Sequence, residues 1–509
     1  MLAIFAFCTF FVQMFCNIDS YLYSPICQGD SAVFYMCGKA MMNGMTPYTD
    51  FTDSKGVLLW FIYGVGYLLD NYSYVGVFWI MCCFLFVTLC IAYKTARLFL
   101  PRQLSVYAAL FLLVPLMYWN FYHETKAEHF CWPIVAWGLY VLMKSLAGRN
   151  ISNLDYFGIG FGVVACLMIK WNIAVMMFCF VFSVSWLAYL RGEIKHCMLG
   201  VSLGALLTFI PFAVYFTIAG NWTDMWQEYF VNTFQTVTPM DNSLYQTFQV
   251  FFTGWKRLFT TRMFIYLLYI FPVLTLWKRE RWFSSVLPFL CGLFFVLLAT
   301  RANSGSYYIS VAGPFAIMTI IVIIKFCQRY GQFGKLVPFF VVLSLLYDVW
   351  GSPHYLPFFC TKHRQENNQF MALSAKMSEV SEHPTVITVG MEPGLCMGSA
   401  LPGTRYWTLQ VGCTPTMWKD ELSAIKSNSA DFIIIVYPSI SPELCEFVKK
   451  ELKESDYHYF ADYFAGCVYT KHNLNMPEKI KDISIKDIVL NRTYKEIYEE
   501  NHDTGTMFQ

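Results

Sequence analysis

Residues 73–93 read SYVGVFWIMCCFLFVTLCIAY, an apolar run that contains no charged side chain. A helix of about 20 mostly apolar residues is long enough to cross the hydrocarbon core of a bilayer. Lys94 and Arg97 follow the run closely, and basic residues accumulate at the cytoplasmic ends of membrane spans. The stretch therefore predicts a transmembrane helix whose second end faces the cytoplasm.

Further runs of the same kind lie on both sides of this one. The sequence predicts a polytopic α-helical membrane protein with about 11 transmembrane helices. The predicted spans lie near residues 2–18, 73–93, 104–122, 130–146, 156–169, 173–190, 197–219, 263–277, 283–299, 307–324 and 336–350. The composition agrees, because 57% of the residues are hydrophobic and only 14% are charged. These values exclude an ordinary soluble enzyme and a disordered chain, and the net charge of +2 predicts no nucleic-acid partner.

The distribution of basic residues predicts the orientation. One of the two alternating sets of loops carries Lys94, Arg97, Arg102, Lys144, Arg149, Arg191, Lys195, Lys278, Arg279, Arg281, Lys325, Arg329 and Lys335. The positive-inside rule places that set in the cytoplasm. We therefore expect a multi-pass protein of the cytoplasmic (inner) membrane, with its C-terminal domain on the extracytoplasmic, periplasmic side. Two long loops, 19–72 and 220–262, then lie outside, and residues 32–43 and 57–69 of the first are predicted surface helices.

Charge and hydropathy divide the chain into three predicted parts. Residues 1–350 form a transmembrane module, residues 351–475 a small soluble α/β domain and residues 476–509 a polar C-terminal tail. The last 159 residues, less than a third of the chain, hold half of its charged side chains. The α/β domain could bind an acceptor or act as a lid, or it could be a purely structural cap.

Hydrophobic runs define the predicted elements of that domain. Residues 385–390 and 431–437 are rich in β-branched side chains and predict buried parallel strands. Helices are predicted at 415–427 and 442–455, and closing strands at 457–464 and 467–469. The Gly390–Gly394 turn lacks the spacing of a dinucleotide-binding loop, so no nucleotide site is predicted there.

The first outer loop contains the densest set of candidate catalytic side chains. Asp30, Asp50, Asp53 and Lys55 lie where the chain leaves the membrane. A carboxylate at a bilayer edge is partly desolvated, which raises its pKa and suits it to proton abstraction. A lysine at the same depth is a point charge suited to a phosphate. Alternatively, these side chains are ordinary loop charges that contact lipid head groups.

Further candidates lie at the ends of predicted spans. Glu128 and His129 enter the fourth span, and Glu128 or Asp53 could bind a divalent metal; a solvated turn between helices is the alternative. Lys170 interrupts an apolar run, and Arg301 begins a loop that leads to Tyr308. Ionisable residues at membrane depth are functional candidates by default, although snorkelling to the interface would also explain both cations.

The order of these motifs resembles that of the GT-C membrane glycosyltransferases. The first-loop pattern, Asp30 followed by G-x-x-PY-x-DF-x-D-x-KG over residues 44–56, is similar to the branch of families 39 and 83 that contains the protein O-mannosyltransferases and lipid A aminoarabinose transferases. The segments TKAE at 125–128, GVVACLMIKWN at 162–172 and SGSYYISVAGP at 304–314 resemble later landmarks of that branch. The resemblance covers roughly residues 1–320.

The resemblance implies a hexosyl or pentosyl transferase that uses a polyprenyl-phosphate sugar on the outer face of the membrane. The acceptor would be a lipid, a glycan or a protein, and the transfer would invert the anomeric centre. Asp30 would be the general base and Lys55 would bind the leaving phosphate, together with Lys170 and Arg301. Asp50, Asp53, Glu128, His129 and Tyr308 would line the substrate cavity.

One departure from the motif limits what the resemblance implies. Ser54 stands where the aminoarabinose branch has a metal-binding glutamate, so a bound divalent metal is not certain and no other cofactor is expected. A transporter or flippase of lipid-linked glycans is the alternative function, but the internal repeats typical of such proteins are not evident. The sequence predicts neither the sugar, the acceptor nor the oligomeric state.

Overall fold

The computed structural model describes most of the chain. The described residues are 1–17, 19–20, 29–71, 73–117, 125–233, 306–329, 339, 342–343, 372–390, 398–409, 415–437, 442–463 and 466–475. The predicted spans 263–277 and 283–299, most of span 336–350, the predicted tail and Arg301 lie outside the described residues. The chain forms two compact units, of which the first comprises Met1–Asn17, Phe78–Gly220 and Met240–His354 and the second comprises Ile18–Val77, Asn221–Pro239 and Tyr355–Gln509.

Helices dominate the described residues. In chain order they are α1 Leu2–Cys16, α2 Gly29–Met42, α3 Val57–Leu69, α4 Val75–Arg97, α5 Arg102–Phe111, α6 Leu113–Leu116, α7 Ala127–Phe130, α8 Trp132–Leu146, α9 Asn153–Ile169, α10 Trp171–Leu190, α11 Ile194–Ala219, α12 Trp222–Met225, α13 Ala316–Arg329, α14 Pro415–Lys426 and α15 Pro442–Lys453. A π-helical segment, Trp226–Asn232, follows α12, and a 3₁₀ segment, Ser306–Phe315, precedes α13.

The helices of the first unit fit a membrane protein. Among the described residues, α4, α10 and α11 are long and apolar enough to cross a bilayer. Shorter apolar helices, including α1, α8 and α9, lie where spans were predicted. The prediction of a membrane helical protein is thus supported, whereas the number of eleven spans stays a prediction.

Glycines allow α9 and α11 to pack closely. A Cβ atom on Gly160 would lie 1.9 Å from the carbonyl oxygen of Val201, and one on Gly204 would lie 2.1 Å from that of Phe157. Any larger side chain at either position would therefore clash with backbone atoms. Small residues at such crossings are typical of helix packing in membranes, where close backbone approach replaces the hydrophobic driving force.

A single residue, Lys170, separates α9 from α10 at the point where it interrupts the apolar run. Lys170 is extended (φ −157°, ψ 107°) and caps both helices. Its backbone N–H donates to the carbonyl oxygen of Cys166 at 2.8 Å. The chain therefore breaks its helix at a buried lysine, and this break is what brings the Lys170 side chain into the interior of the unit.

The first outer loop contributes α2 and α3 to the second unit. Both helices occupy the segments predicted from the sequence, residues 32–43 and 57–69. They pack tightly, since a Cβ atom on Gly38 would lie 2.5 Å from the backbone nitrogen of Gly64. Their predicted location along the membrane surface stays a prediction.

The C-terminal residues of the second unit form a mixed sheet. Its strands are β1 Thr385–Val389, β2 Leu401–Pro402, β3 Thr408–Leu409, β4 Phe432–Val436, β5 His458–Tyr463 and β6 Gly466–Thr470. The order is β2-β1-β4-β6-β5, and β3 also pairs with β1. The pair β1–β4 is parallel and β4–β6 and β5–β6 are antiparallel.

The sheet agrees with the element prediction and adds two short strands to it. Ile387, Ile433 and Ile435 are fully buried with Val448 of α15, which explains why the β-branched runs form the central strands. The two-residue strands β2 and β3 carry no apolar run of their own and were not predicted. The predicted domain boundaries and the side of the membrane stay predictions; by contacts, segments of both outer loops group with the C-terminal residues.

Candidate active site

Asp30 lies in the first turn of α2, and its side chain is partly buried. The first turn of a helix exposes backbone N–H groups that carry a partial positive charge. Phe34 follows one turn later, so the two side chains share a face of the helix.

The Lys55 ammonium lies on this same side of α2. Its Nζ atom is 5.1 Å from the centroid of the Phe34 ring, a distance at which a cation is attracted to the ring face. It also donates to Ser54 Oγ at 3.0 Å. The Lys55 ammonium thus lies over a ring of α2 that is one helical turn from Asp30.

Asp53 is the nearby carboxylate partner of Lys55. Its Oδ2 atom lies 3.7 Å from Lys55 Nζ, and the side chains are 6% and 13% exposed respectively. Its Oδ1 accepts from the backbone N–H of Ser54 at 2.7 Å. Lys55 and Asp53 thus form an ion pair that is largely buried.

Tyr48 fixes the turn that carries Lys55. Its backbone is left-handed (φ 67°), and its hydroxyl donates to the Lys55 carbonyl oxygen at 3.0 Å. The ring packs on Trp60 and Tyr229, with centroid distances of 4.8 and 6.1 Å. Burial raises the pKa of Tyr48, so the hydroxyl remains a donor. The sequence analysis did not single out this residue, because a lone tyrosine in an aromatic-rich loop carries no specific signal.

Asp50 has a local structural contact in the same turn. Its Oδ2 accepts from the backbone N–H of Thr46 at 2.6 Å, and its side chain is exposed. This contact is a common way for aspartate to close a turn. A role of Asp50 in binding substrate stays a prediction.

The first unit contains a second group of candidates, centred on a buried ion pair. Glu128 of α7 accepts a hydrogen bond from the Lys170 ammonium, and the side chains are 2% and 10% exposed. The Lys170 ammonium is therefore buried beside a carboxylate that balances its charge. Its predicted binding of the donor phosphate stays a prediction, and a phosphate there would compete with Glu128 for the same ammonium.

His129 and Tyr308 complete the placement of the predicted residues. The buried His129 accepts from the backbone N–H of Lys126 through Nδ1 at 3.0 Å, which caps α7. Its ring centroid lies 4.6 Å from that of Trp132. Tyr308 belongs to the 3₁₀ segment that precedes α13, and Arg301 lies outside the described residues.

The predicted metal ligands do not fit a metal centre in the part of the chain that the structure describes. Among the described residues, no three His, Cys, Asp or Glu side chains form a potential metal site. Glu128 pairs with Lys170, and Asp53 lies beside Lys55 with Ser54 as its neighbour. Two ammonium groups beside the two candidate carboxylates would repel a divalent cation.

The ion pair yields a stability prediction. Lys170→Met leaves Glu128 buried without its cation, and breaking a buried pair in this way costs about 3–5 kcal/mol. The double variant Glu128→Gln/Lys170→Met removes both charges and is expected to recover most of that loss. Thermal unfolding of the purified proteins in detergent measures the loss in the single variant and the recovery in the double variant. Lys419→Met on the exposed surface of α14 is the control. Equal melting temperatures for Lys170→Met and wild type would contradict the buried pair.

Comparisons with known proteins give structural but no sequence matches. No protein-family model matches the chain, and no curated protein matches it by sequence. The structure is similar to that of ArnT from Cupriavidus metallidurans in the apo state, with 12% sequence identity, coverage of 92% of this chain and 97% of that chain, and a TM-score of 0.58. The apo oligosaccharyltransferase of Archaeoglobus fulgidus matches at 10% identity, 94% and 74% coverage, and a TM-score of 0.45.

The ArnT match extends over almost the whole of both chains. A structural match of this extent at 12% sequence identity shows the fold but not the activity. The GT-C resemblance predicted from the motifs is thereby confirmed at the level of the fold. The chain therefore shares the fold of ArnT.

Proposed function

We propose that the protein is a membrane glycosyltransferase that moves a sugar from a polyprenyl-phosphate donor to an acceptor hydroxyl or amine on the outer face of the cytoplasmic membrane. The observation that carries the proposal is the position of the Lys55 ammonium over Phe34, one helical turn from Asp30 on α2. This arrangement offers a cation to the phosphate of the donor and a carboxylate to the acceptor that attacks the donor. The GT-C fold supports the same activity.

The proposed reaction is a single displacement. The Asp30 carboxylate accepts the proton of the acceptor as the acceptor atom attacks the anomeric carbon. The bond between that carbon and the phosphate oxygen breaks, and its electron pair leaves with the polyprenyl phosphate. The anomeric centre inverts, because attack and departure occur on opposite faces of the sugar ring. The Lys55 ammonium neutralises the charge that develops on the phosphate, which lowers the barrier without a nucleotide.

The residues around Lys55 support its role as the phosphate ligand. Asp53, Ser54 and the Tyr48 hydroxyl hold the lysine and its backbone in place. A fixed cation needs little reorganisation during the reaction, which is the basis of electrostatic preorganisation. The donor is a polyprenyl-phosphate hexose or pentose, and the acceptor is a lipid, a glycan or a protein.

Proteoliposomes that contain a panel of radiolabelled polyprenyl-phosphate hexoses and pentoses test the proposal. With membrane extract as the source of acceptor, we expect label to leave the polyprenyl carrier in the presence of the wild-type protein. Protein-free liposomes and liposomes with an unrelated polytopic protein serve as controls. Label that crosses the bilayer while still on its carrier would instead identify a transporter or flippase.

A further inference from the structure

Arg405 connects C-terminal residues of the second unit to the turn that carries Lys55. Its Nε–H donates to the Thr49 carbonyl oxygen at 3.0 Å, and its own carbonyl oxygen accepts from the Thr52 backbone N–H at 2.9 Å. Arg405 is thus bonded on both sides of Asp50, although it lies more than 350 residues later in the sequence.

The guanidinium of Arg405 also engages the second outer loop. It lies 3.5 Å from Asp224 and 3.5 Å from Glu228. Glu228 is 4% exposed and also accepts from the Tyr406 hydroxyl at 2.8 Å. Asp224 in turn accepts from Thr49 Oγ1 at 3.1 Å. The guanidinium faces the carbonyl and the two carboxylates with three different nitrogen atoms, whereas a lysine has a single nitrogen that cannot occupy all three positions.

The segment that carries Arg405 is itself fixed to the sheet. The Trp407 carbonyl oxygen accepts from the backbone N–H of Thr388 in β1 at 2.6 Å. Thr404 donates through its hydroxyl to Glu421 of α14. Glu421 is buried, and burial raises its pKa to about 7. Arg405 therefore projects from a backbone that is hydrogen-bonded to the sheet and to α14. Its bonds to the turn over residues 46–56 fix that turn relative to the sheet.

The turn transmits this position to Lys55 through Tyr48. The backbone N–H of Tyr48 donates to the Phe51 carbonyl oxygen at 2.7 Å, and its hydroxyl donates to the Lys55 carbonyl oxygen. We propose that Arg405 is a positioning residue of the donor-phosphate site, which holds the turn over residues 46–56 so that Lys55 faces α2. The kinetic part of this inference rests on the proposed function; the geometric part does not.

Chemical labelling of Lys55 tests the geometric part without any assay of transfer. The intact protein is treated with an amine-reactive acetylating ester, and acetylation of Lys55 is followed by mass spectrometry relative to the exposed Lys419. In Arg405→Gln we expect the rate at Lys55 to rise roughly fivefold, which loss of about one net hydrogen bond allows. Arg149→Gln, a substitution of an exposed arginine, is the matched control and leaves the rate unchanged.

A second variant keeps the test valid if Arg405→Gln does not fold. Arg405→Lys retains the charge beside Asp224 and Glu228 but cannot contact Thr49 at the same time, so the Lys55 rate should rise by a smaller factor. An unchanged Lys55 rate in either folded variant overturns the proposal, whether or not the protein transfers sugar. A raised rate in a protein without transferase activity would overturn the proposed function alone.

Kinetics distinguish positioning of Lys55 from a general effect on the fold. If Arg405 acts through Lys55, Arg405→Gln raises the KM for the donor in the wild-type background and has no further effect in a Lys55→Met background. If the fold-increases in donor KM caused by Arg405→Gln and by Lys55→Met multiplied in the double variant, the two residues would act independently. That result would overturn the positioning role. Melting temperatures of all variants, measured in the same detergent, show that folded proteins are being compared.

Discussion

Asp30→Asn is expected to lower the transfer rate by about 10²–10⁴-fold, the range that general-base catalysis contributes. The amide has nearly the same shape as the carboxylate but cannot accept the acceptor proton. Because Asp30 lies at the beginning of α2 and its side chain is only partly buried, the substitution should leave the fold intact. Binding of the polyprenyl-phosphate donor should change little, since the phosphate is bound by Lys55.

The measurement is single-turnover transfer from labelled donor in proteoliposomes, with donor binding followed separately. Asp420→Asn, an exposed aspartate on α14, is the matched control and retains full activity. Asp30→Glu moves the carboxylate by one methylene and is expected to retain a fraction of the activity. A wild-type rate in a correctly folded Asp30→Asn variant would exclude Asp30 as the base.

Lys55→Met should lower the transfer rate by about 10²–10³-fold, comparable to the loss of one preorganised electrostatic contact to the developing charge. Methionine preserves most of the apolar stem and removes the ammonium, and with it the attraction between the charge and the Phe34 ring. In contrast to Asp30→Asn, this substitution should also weaken donor binding, because the ammonium contacts the phosphate in both the ground state and the transition state.

Two comparisons define the role of Lys55. Lys55→Arg keeps the positive charge and is expected to recover part of the activity, because guanidinium groups also bind phosphate. Lys419→Met on the exposed surface of α14 should leave kcat and KM at the wild-type values. If Lys55→Met changed neither the donor KM nor kcat, Asp53 and Lys55 would form only a structural ion pair.

The sequence was sufficient to predict the helical membrane fold and most elements. Apolar runs marked the helices, and the β-branched runs at 385–390 and 431–437 became the parallel central strands of the sheet. These predictions succeeded because hydrophobic patterning is a local property of the chain. The short strands β2 and β3 were not predicted. They are strands because they pair with β1, and their own residues form no apolar or β-branched run.

The long-range contacts around the candidate site could not be predicted, because they are not a local property of the chain. Asp30 and Lys55 lie 25 positions apart and were predicted together from the motif resemblance, and their roles stay predictions. The partner of Lys170, by contrast, is 42 positions away, so the sequence left open whether this cation bound phosphate, snorkelled or paired. Arg405 contacts Thr49 across 356 positions, and nothing in the local sequence around either residue indicates that contact.

The structure also changes the choice between the predicted roles of the C-terminal residues. A lid, an acceptor-binding domain and a structural cap were equally compatible with the sequence. The bonds from Arg405 to Thr49 and Thr52 favour a further role, in which these residues help to build the donor site. Such a role would explain why a long charged segment follows the membrane helices.

The most direct test of the central proposal is an experimental structure of the full-length Asp30→Asn variant with a bound polyprenyl-phosphate sugar. The substitution slows transfer and so preserves the donor. We predict that a phosphate oxygen lies about 2.8 Å from Lys55 Nζ, the usual length of a charge-assisted hydrogen bond, with the anomeric carbon on the side of α2 that carries residue 30. A donor phosphate bound away from Lys55, for example at Lys170 with Glu128 displaced, would contradict the proposed site.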